Sequence, residues 1–326
     1  MIRTAFLLAA ALLSAGSPAQ AAEPSLSLPL ACRPGESCWV VHYVDHDSTA
    51  SFRDYHCGVL GYDGHDGTDF AIRDERAMAA GVAVVAAAPG TVRSVRDGMP
   101  DIGRNGDIAG RECGNGVLVA HEEGWETQYC HMRRGSVVVR PGERVERGQT
   151  LGLVGLSGNT EFPHLHLTVR RDRRPVDPFL GDEAFGACRI SASSLWMPEA
   201  RAALAYRPIA IYNAGFSGTP PDAATIRRGE RALPSVNSEA LVLWTDIFGV
   251  DRGDRIQLRI LDPDGEVLLD HARTLDKRFI RRFEFAGKRK RAEPWPPGTY
   301  TGEIAVTRSA GEQATTVTNR TWIELR

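Results

Sequence analysis

The stretch YDGHDGTDF, residues 62–70, sets His65 and Asp69 four positions apart with Gly67 between them. Imidazole and carboxylate are both zinc ligands, but surface turns are rich in Asp and Gly, and the pair alone decides nothing. A second stretch, FPHLHLTVR at residues 162–170, alternates His164 and His166 with Leu165 and Leu167. In a strand this period of two puts both imidazoles on one face and both leucines on the other. Polar rings on a covered face need partners, which a metal or a catalytic task supplies; on a solvated face they would be ordinary histidines. A third element, His131, ends the strand that follows the turn EEGW at 122–125. A single strand histidine is as a rule structural. Together the three stretches offer three ligands for a catalytic zinc, which keeps its fourth position open, and two further imidazoles.

The chain around these stretches is β-rich. Between residues 55 and 180, short Val-rich runs at 82–87, 91–95, 116–120, 127–132, 136–140, 151–154 and 164–170 alternate with Gly-containing turns, the pattern of a β-dominated domain. Residues 96–114 hold five glycines among Asp and Arg, which predicts a surface loop. Residues 22–55 offer one strand candidate, 38–43, and are expected to form an N-terminal strap. Beyond Cys188 an Ala-rich stretch at 197–205 reads as helical. Seven strand candidates follow, at 210–213, 240–246, 255–262, 266–273, 278–286, 300–308 and 315–324, which predicts an immunoglobulin-like sandwich. The tripeptides PDG at 263–265 and PPG at 296–298 are turn-formers, since Pro presets φ and Gly tolerates positive φ. The expected organisation is mainly β: the strap at 22–55, a β-sheet domain at 56–187 and a β-sandwich accessory domain at 188–326.

The order H-x-G-x-D, then a Y-x-H strand, then H-x-H resembles the lysostaphin-type (LytM-like) zinc endopeptidases of the bacterial cell wall. The run SVVVRPGERVERGQTLGLVGLSGNTEFPHLHL at 136–167, followed by VDPF, is similar to that family's V-x-x-G-x-x-V-x-x-G-Q-x-x-G and its G-x-(S/T)-G before PHLH. The likeness spans about residues 62–180. Glu161 and Phe162 stand where many members have a small residue and Gly, and Thr168 where a Glu is common. The resemblance implies a LytM-like β-sheet peptidase domain, one zinc held by His65, Asp69 and His166, and a catalytic pair, His131 and His164. It implies a metalloendopeptidase that hydrolyses peptide bonds in the stem peptides or cross-links of peptidoglycan. Zinc polarises a carbonyl and acidifies water, and a nearby neutral imidazole takes the proton. His164 is read as that base and His131 as the group that holds or protonates the developing tetrahedral centre.

Other readings separate on specific residues. A silent relative that activates other wall hydrolases would be expected to lack ligands, and none is missing. A lipoyl- or biotinyl-type carrier shares the V-x-x-G turns but needs a lysine at a hairpin tip, and Lys277, Lys288 and Lys290 all lie beyond the domain. His42 and His46 form an H-x-x-x-H pair without helical periodicity and are read as a decoy; His56, His121 and His271 are read as solvated. Asp45, Asp47 and Asp63 are candidates to hydrogen-bond the ligand histidines. The basic residues Arg281, Arg282 and Lys288–Arg291 offer the accessory domain a contact for anionic wall polymer or a protein partner, or are simply a solvated hairpin.

Residues 1–21 have an early Arg, an apolar run at 5–15 and an A-x-A pattern around Gln20, the features of a secretory signal peptide. The run is too short for a transmembrane anchor. Export, with the periplasm as the expected compartment and secretion beyond it as the alternative, suits six cysteines without a C-x-x-C pair, which favour disulfides over a zinc ribbon. Cys32 and Cys38 are close enough in sequence to close a local loop. With 39 basic and 41 acidic residues, the charge gives no reason to expect a nucleic-acid partner.

Overall fold

The computed structural model describes residues 23–186, 188–290, 294–310 and 313–326; the expected signal peptide at 1–21 and Arg291 of the basic cluster lie outside the described residues. The first unit contains β1 (Cys38–His42), β2 (Thr68–Ile72), α1 (Glu75–Ala80), β3 (Ala83–Val85), β4 (Gly90–Arg96), β5 (Asn115–Ala120), β6 (Trp125–Met132), β7 (Arg144–Val145), β8 (Thr150–Leu153), β9 (His164–Arg171) and β10 (Arg174–Val176). Its main sheet runs β1-β2-β9-β6-β5-β4-β7, with β10 also on β9, while β3 and β8 pair separately. Alternation decides the layers. Leu165, Leu167 and Val169 of β9 point into a core shared with Phe70, Tyr129 and Trp196, where each is at most 3 % exposed. The residues between them face the other way. Asp74 starts α1 by accepting the Ala77 N–H, the ordinary way to satisfy a helix's first free donors.

The strand expected at 136–140 does not form. Its amides are divided among other partners instead: Ser136 N–H donates to Arg133 O and Val138 N–H to Leu151 O of β8, Val137 N–H to the Asp97 carboxylate and Arg140 N–H to that of Glu143. The strand that pairs here is β7, just downstream. The loop at 96–114 is tied down as well, since Asp97 and Asp101 accept amides of Gly135 and Leu156.

Three disulfides staple this unit: Cys32–Cys38, Cys57–Cys188 and Cys113–Cys130. Its core continues through α2 (Pro198–Ala203), where Ala200 and Leu204 pack with Trp196.

The seven later strands are β11 (Ala210–Ser217), β12 (Ala240–Val250), β13 (Arg255–Leu261), β14 (Val267–Thr274), β15 (Phe279–Arg289), β16 (Gly298–Ala310) and β17 (Gln313–Leu325), with the short α3 (Ala223–Arg227) between the first two. They form sheets β11-β12-β15 and β14-β13-β16-β17. Along β13, Ile256, Leu258 and Ile260 are buried and the residues between them are not, so one face of each sheet closes on a common core that includes Leu241, Ile247 and Ile304. The immunoglobulin-like sandwich expected from the turn spacing is therefore present, with one difference. In the constant-type arrangement the fourth strand joins the sheet of the first two; here β14 pairs with β13. A third apolar cluster, Trp39, Val41 and Ala71 with Ala210, Tyr212 and Phe248, joins the two units.

Candidate metal centre

Strand pairing, not sequence proximity, assembles the centre. On β1, β2 and β9, His42 lies opposite Asp69 and Asp69 opposite His166, so three polar side chains stand in one row across the sheet. His65 reaches the row from the turn before β2. Its Nε2 lies 3.2 Å from Asp69 Oδ1 and 3.1 Å from His166 Nδ1, and the latter is 2.8 Å from Asp69 Oδ1. Donors bound to one tetrahedral zinc at ~2.0–2.2 Å lie ~3.3 Å apart, so the triad has the right size as well as the right chemistry for that ion. His65, Asp69 and His166 form the one group of this kind among the described residues. His164 Nε2 is 3.4 Å from the same Asp69 oxygen.

His131 reaches the site through a bulge. Between Asn115↔Met132 and Val117↔Tyr129, β5 advances two residues while β6 advances three. The extra residue, at positive φ of 62° in His131, is what bulges of this kind accommodate. Cys130, paired with His166, and His131 can then both serve the same side, and the rings of His131 and His164 come within 4.7 Å. The bulge is held by the His131 N–H donating to Cys113 O and by the Cys113–Cys130 bond.

Backbone carbonyls fix the imidazoles' protons. A carbonyl only accepts, so the nitrogen facing it carries the hydrogen: His65 Nδ1 donates to Tyr43 O at 2.7 Å, His131 Nδ1 to Ser157 O at 2.8 Å and His164 Nδ1 to Phe162 O at 2.9 Å. Each therefore turns its Nε2 toward the centre. His166 is reversed, with Nδ1 inward and Nε2 toward Thr168 Oγ1 at 2.9 Å and Asp66 Oδ1 at 3.2 Å. Such outer contacts orient metal-binding histidines.

The electrostatics follow from this packing; none of the five groups is more than 9 % exposed. Burial opposes ionisation of Asp69, but the charges of His65 and His164 and hydrogen bonds from His164 and His166 outweigh it and hold the carboxyl well below the usual range. Burial also opposes charging His166, yet Asp66 and Asp69 push it up to about 9. His131 goes the other way: burial, then the neighbouring His164 and His166, hold it well below the ordinary histidine value.

The supporting residues differ in part from those the sequence suggested. Asp66 and Thr168, not Asp45, Asp47 or Asp63, hydrogen-bond His166; Asp45 shapes the turn by accepting the Gly64 and Arg53 amides. His42 does not belong with the decoys, because its Nδ1 donates to Asp69 Oδ2 at 2.8 Å. Only its strand register reveals this. His46 is bonded to Asp177, and His56 stacks on Tyr206. Arg104, from the loop at 96–114, pairs with Glu161 beside the H-x-H strand. In the basic group, Arg281 and Arg282 are already paired with Asp246 and Glu284.

The model of peptidase family M23 matches residues 63–178. The peptidoglycan DD-endopeptidase ShyB of Vibrio cholerae is 33% identical over 118 residues, 36% of this chain and 23% of that protein. The cell division protein DipM of Caulobacter vibrioides is 41% identical over 73 residues, 21% of this chain and 12% of that protein. The chain thus spans less than a quarter of the length of either relative. The catalytic domain of the antimicrobial peptidase lysostaphin from Staphylococcus simulans aligns at 22% identity and a TM-score of 0.28, over 42% of this chain and 85% of that one. Residues 63–178, which bring together the H-x-G-x-D turn, the Y-x-H strand and the H-x-H strand, are a domain of peptidase family M23, the lysostaphin-type family.

Proposed function

We propose that this chain is an exported zinc metalloendopeptidase that hydrolyses peptide bonds in the stem peptides or cross-links of peptidoglycan. The observation that carries the reading is the convergence of His65 Nε2, Asp69 Oδ1 and His166 Nδ1 at 2.8–3.2 Å, with the other nitrogen of each imidazole already engaged. These three residues would hold the ion, which when bound supplies Lewis acidity toward a peptide carbonyl and toward water. The rest of the chemistry belongs to the chain. His164 and His131 each keep the Nδ1 proton on a backbone carbonyl and present Nε2, so that His164 Nε2 can take a proton from water and return it to the departing amine. His131 is the second catalytic histidine of this reading: kept neutral by burial and with its proton on Ser157 O, it presents an accepting Nε2, which suits it to hold the water that His164 deprotonates rather than to protonate the tetrahedral centre.

The substrate class is supported by the relatives named as peptidoglycan DD-endopeptidases. Export, with the periplasm as compartment, is supported by the three disulfides, which persist in oxidising compartments. We place the division between catalytic and accessory units after Tyr206 and before Ile209, later than the boundary at 187–188 expected from the sequence, where one core ends and the next begins. The sandwich is then an accessory unit for wall polymer, for a protein partner, or for the peptidase itself.

The test is elemental analysis of the purified mature chain, together with digestion of purified peptidoglycan by that chain and by a His164→Ala variant. One zinc per chain in both, with muropeptides released only by the unaltered protein, is the expected result. Zinc without cleavage of any of several wall types would point instead to a regulator of other hydrolases, and absence of zinc would refute the site.

A further inference from the structure

We infer that His42 is a positioning residue for the metal centre and that the C-terminal sandwich keeps it in place through Phe248. The inference rests on the zinc reading above. Asp69 has two oxygens with separate tasks: Oδ1 faces His65 and His166, while Oδ2 accepts the Nδ1 proton of His42 at 2.8 Å. If Oδ2 were free, the carboxylate could rotate and offer either oxygen, or both, to a cation. With Oδ2 engaged, one oxygen is left for the metal, the role outer hydrogen bonds play around metal ligands. His42 is 5 % exposed and its Nε2 has no hydrogen-bond partner, so the bond to Asp69 is the ring's single polar contact among the described residues. An apolar ring would fill the same space without leaving a buried nitrogen unsatisfied, which makes the bond to Asp69 the reason for an imidazole there.

The ring cannot drift because aromatic groups enclose it. Tyr62, His65, Phe162 and Phe248 stand 5.5, 5.9, 6.1 and 6.3 Å from it, centroid to centroid, all steeply inclined. Three belong to the peptidase unit, and Phe248 is from β12 of the sandwich. Phe248 is itself fixed, 4.5 Å from Tyr212 and 5.3 Å from Phe162, with the Arg281 guanidinium 5.6 Å from its centroid. Arg281 is anchored by Asp246 at 3.2 Å and donates to the Tyr212 hydroxyl at 2.6 Å. A continuous packed path therefore runs from the sandwich through Phe248 and His42 to the ligand Asp69.

The experiment measures zinc affinity by chelator competition and metal-free melting temperature on the full mature chain and on His42→Phe, His42→Asn and Phe248→Leu. His42→Phe is expected to weaken zinc binding ~10–100-fold. His42→Asn, whose amide nitrogen can stand near the place of Nδ1, is expected to recover most of the loss. Phe248→Leu, remote from the ligands, is expected to weaken binding several-fold, and cobalt-loaded samples are expected to show a shifted d–d absorption in both His42→Phe and Phe248→Leu. Unchanged zinc affinity in His42→Phe, with only the melting temperature lowered, would overturn the positioning role. Should that variant not fold, His42→Asn binding no better than a His42→Ala variant would overturn it, and unchanged affinity in Phe248→Leu would overturn the part given to the sandwich. An unaltered chain that binds no zinc would refute the metal reading itself, and is distinguishable from each of these results.

Discussion

Zinc must compete with a proton for His166, and the size of that competition follows from the site. In the metal-free chain, Asp66 and Asp69 overcome the effect of burial and raise the imidazole to about 9, against an ordinary value of ~6.5. At pH 7 the ring is then protonated about 99 times in 100, and zinc displaces that proton at a cost of about 2.7 kcal/mol, ~1.36 for each of roughly two pH units. Apparent zinc affinity is expected to rise ~tenfold per pH unit from pH 6 to 8 and to level off near 9, with about one proton released per zinc at pH 7. The assay is chelator competition across that range, with calorimetry in two buffers of different ionisation enthalpy to count the proton. An Asp66→Asn variant loses one of the two anions and is expected to reach its plateau at lower pH. A flat affinity between pH 7 and 8.5, or a plateau that Asp66→Asn leaves unmoved, would refute the reasoning.

Other predictions follow from the same contacts. The raised His166 also stabilises the metal-free fold: the contribution is complete below the unfolded value of ~6.5 and is lost as pH rises through about 9, so the metal-free melting temperature is expected to fall over that interval, more than that of a His166→Gln chain. A Cβ on Gly67 would stand 2.6 Å from His166 Nε2 and 2.7 Å from Leu167 O; Gly67→Ala is therefore expected to displace the ligand and lower zinc affinity at least ~10-fold, the range seen when a ligand loses its support, read in the same competition assay. Replacing Cys113 and Cys130 by Ser removes a cross-link over a sequence separation of 17, worth about 3 kcal/mol by loop entropy. In a denaturant titration the double variant is expected to lose that amount, and at temperatures where it stays folded its peptidoglycan cleavage is expected to fall while zinc content holds.

The site's ligand-bearing stretches were legible because each is local: Asp69 is four positions after His65, and His166 two after His164. The sandwich was legible from turn spacing, and its seven strands overlap the seven candidates those turns separate. What the sequence concealed depends on pairing. The strand bearing Asp69 is continuously buried, from Thr68 to Ile72, and therefore has no alternation to detect. His42 looked like half of an H-x-x-x-H because nothing in its surroundings says that β1 lies beside β2. The Val-rich run at 136–140 has strand composition, but Asp97 and Glu143 take the amides of Val137 and Arg140, and composition cannot foresee a side chain arriving from 40 residues away. The displaced β14 is of the same kind, since a strand's propensity does not name its neighbour.

The bulge at His131 also limits how this chain can change length. Because β6 spends three residues where β5 spends two, a one-residue insertion or deletion in the turn at 121–124 is tolerable only if the turn itself absorbs it. If the change slipped along the hairpin instead, side chains would exchange faces, Cys130 would leave Cys113, and His131 would turn into the core beside Tyr129. The loop at 96–114 leads into the same strand from the other end, but the disulfide at Cys113 closes it off from the ladder. Natural or engineered length variation is therefore expected to accumulate there, while the tight turn stays constant.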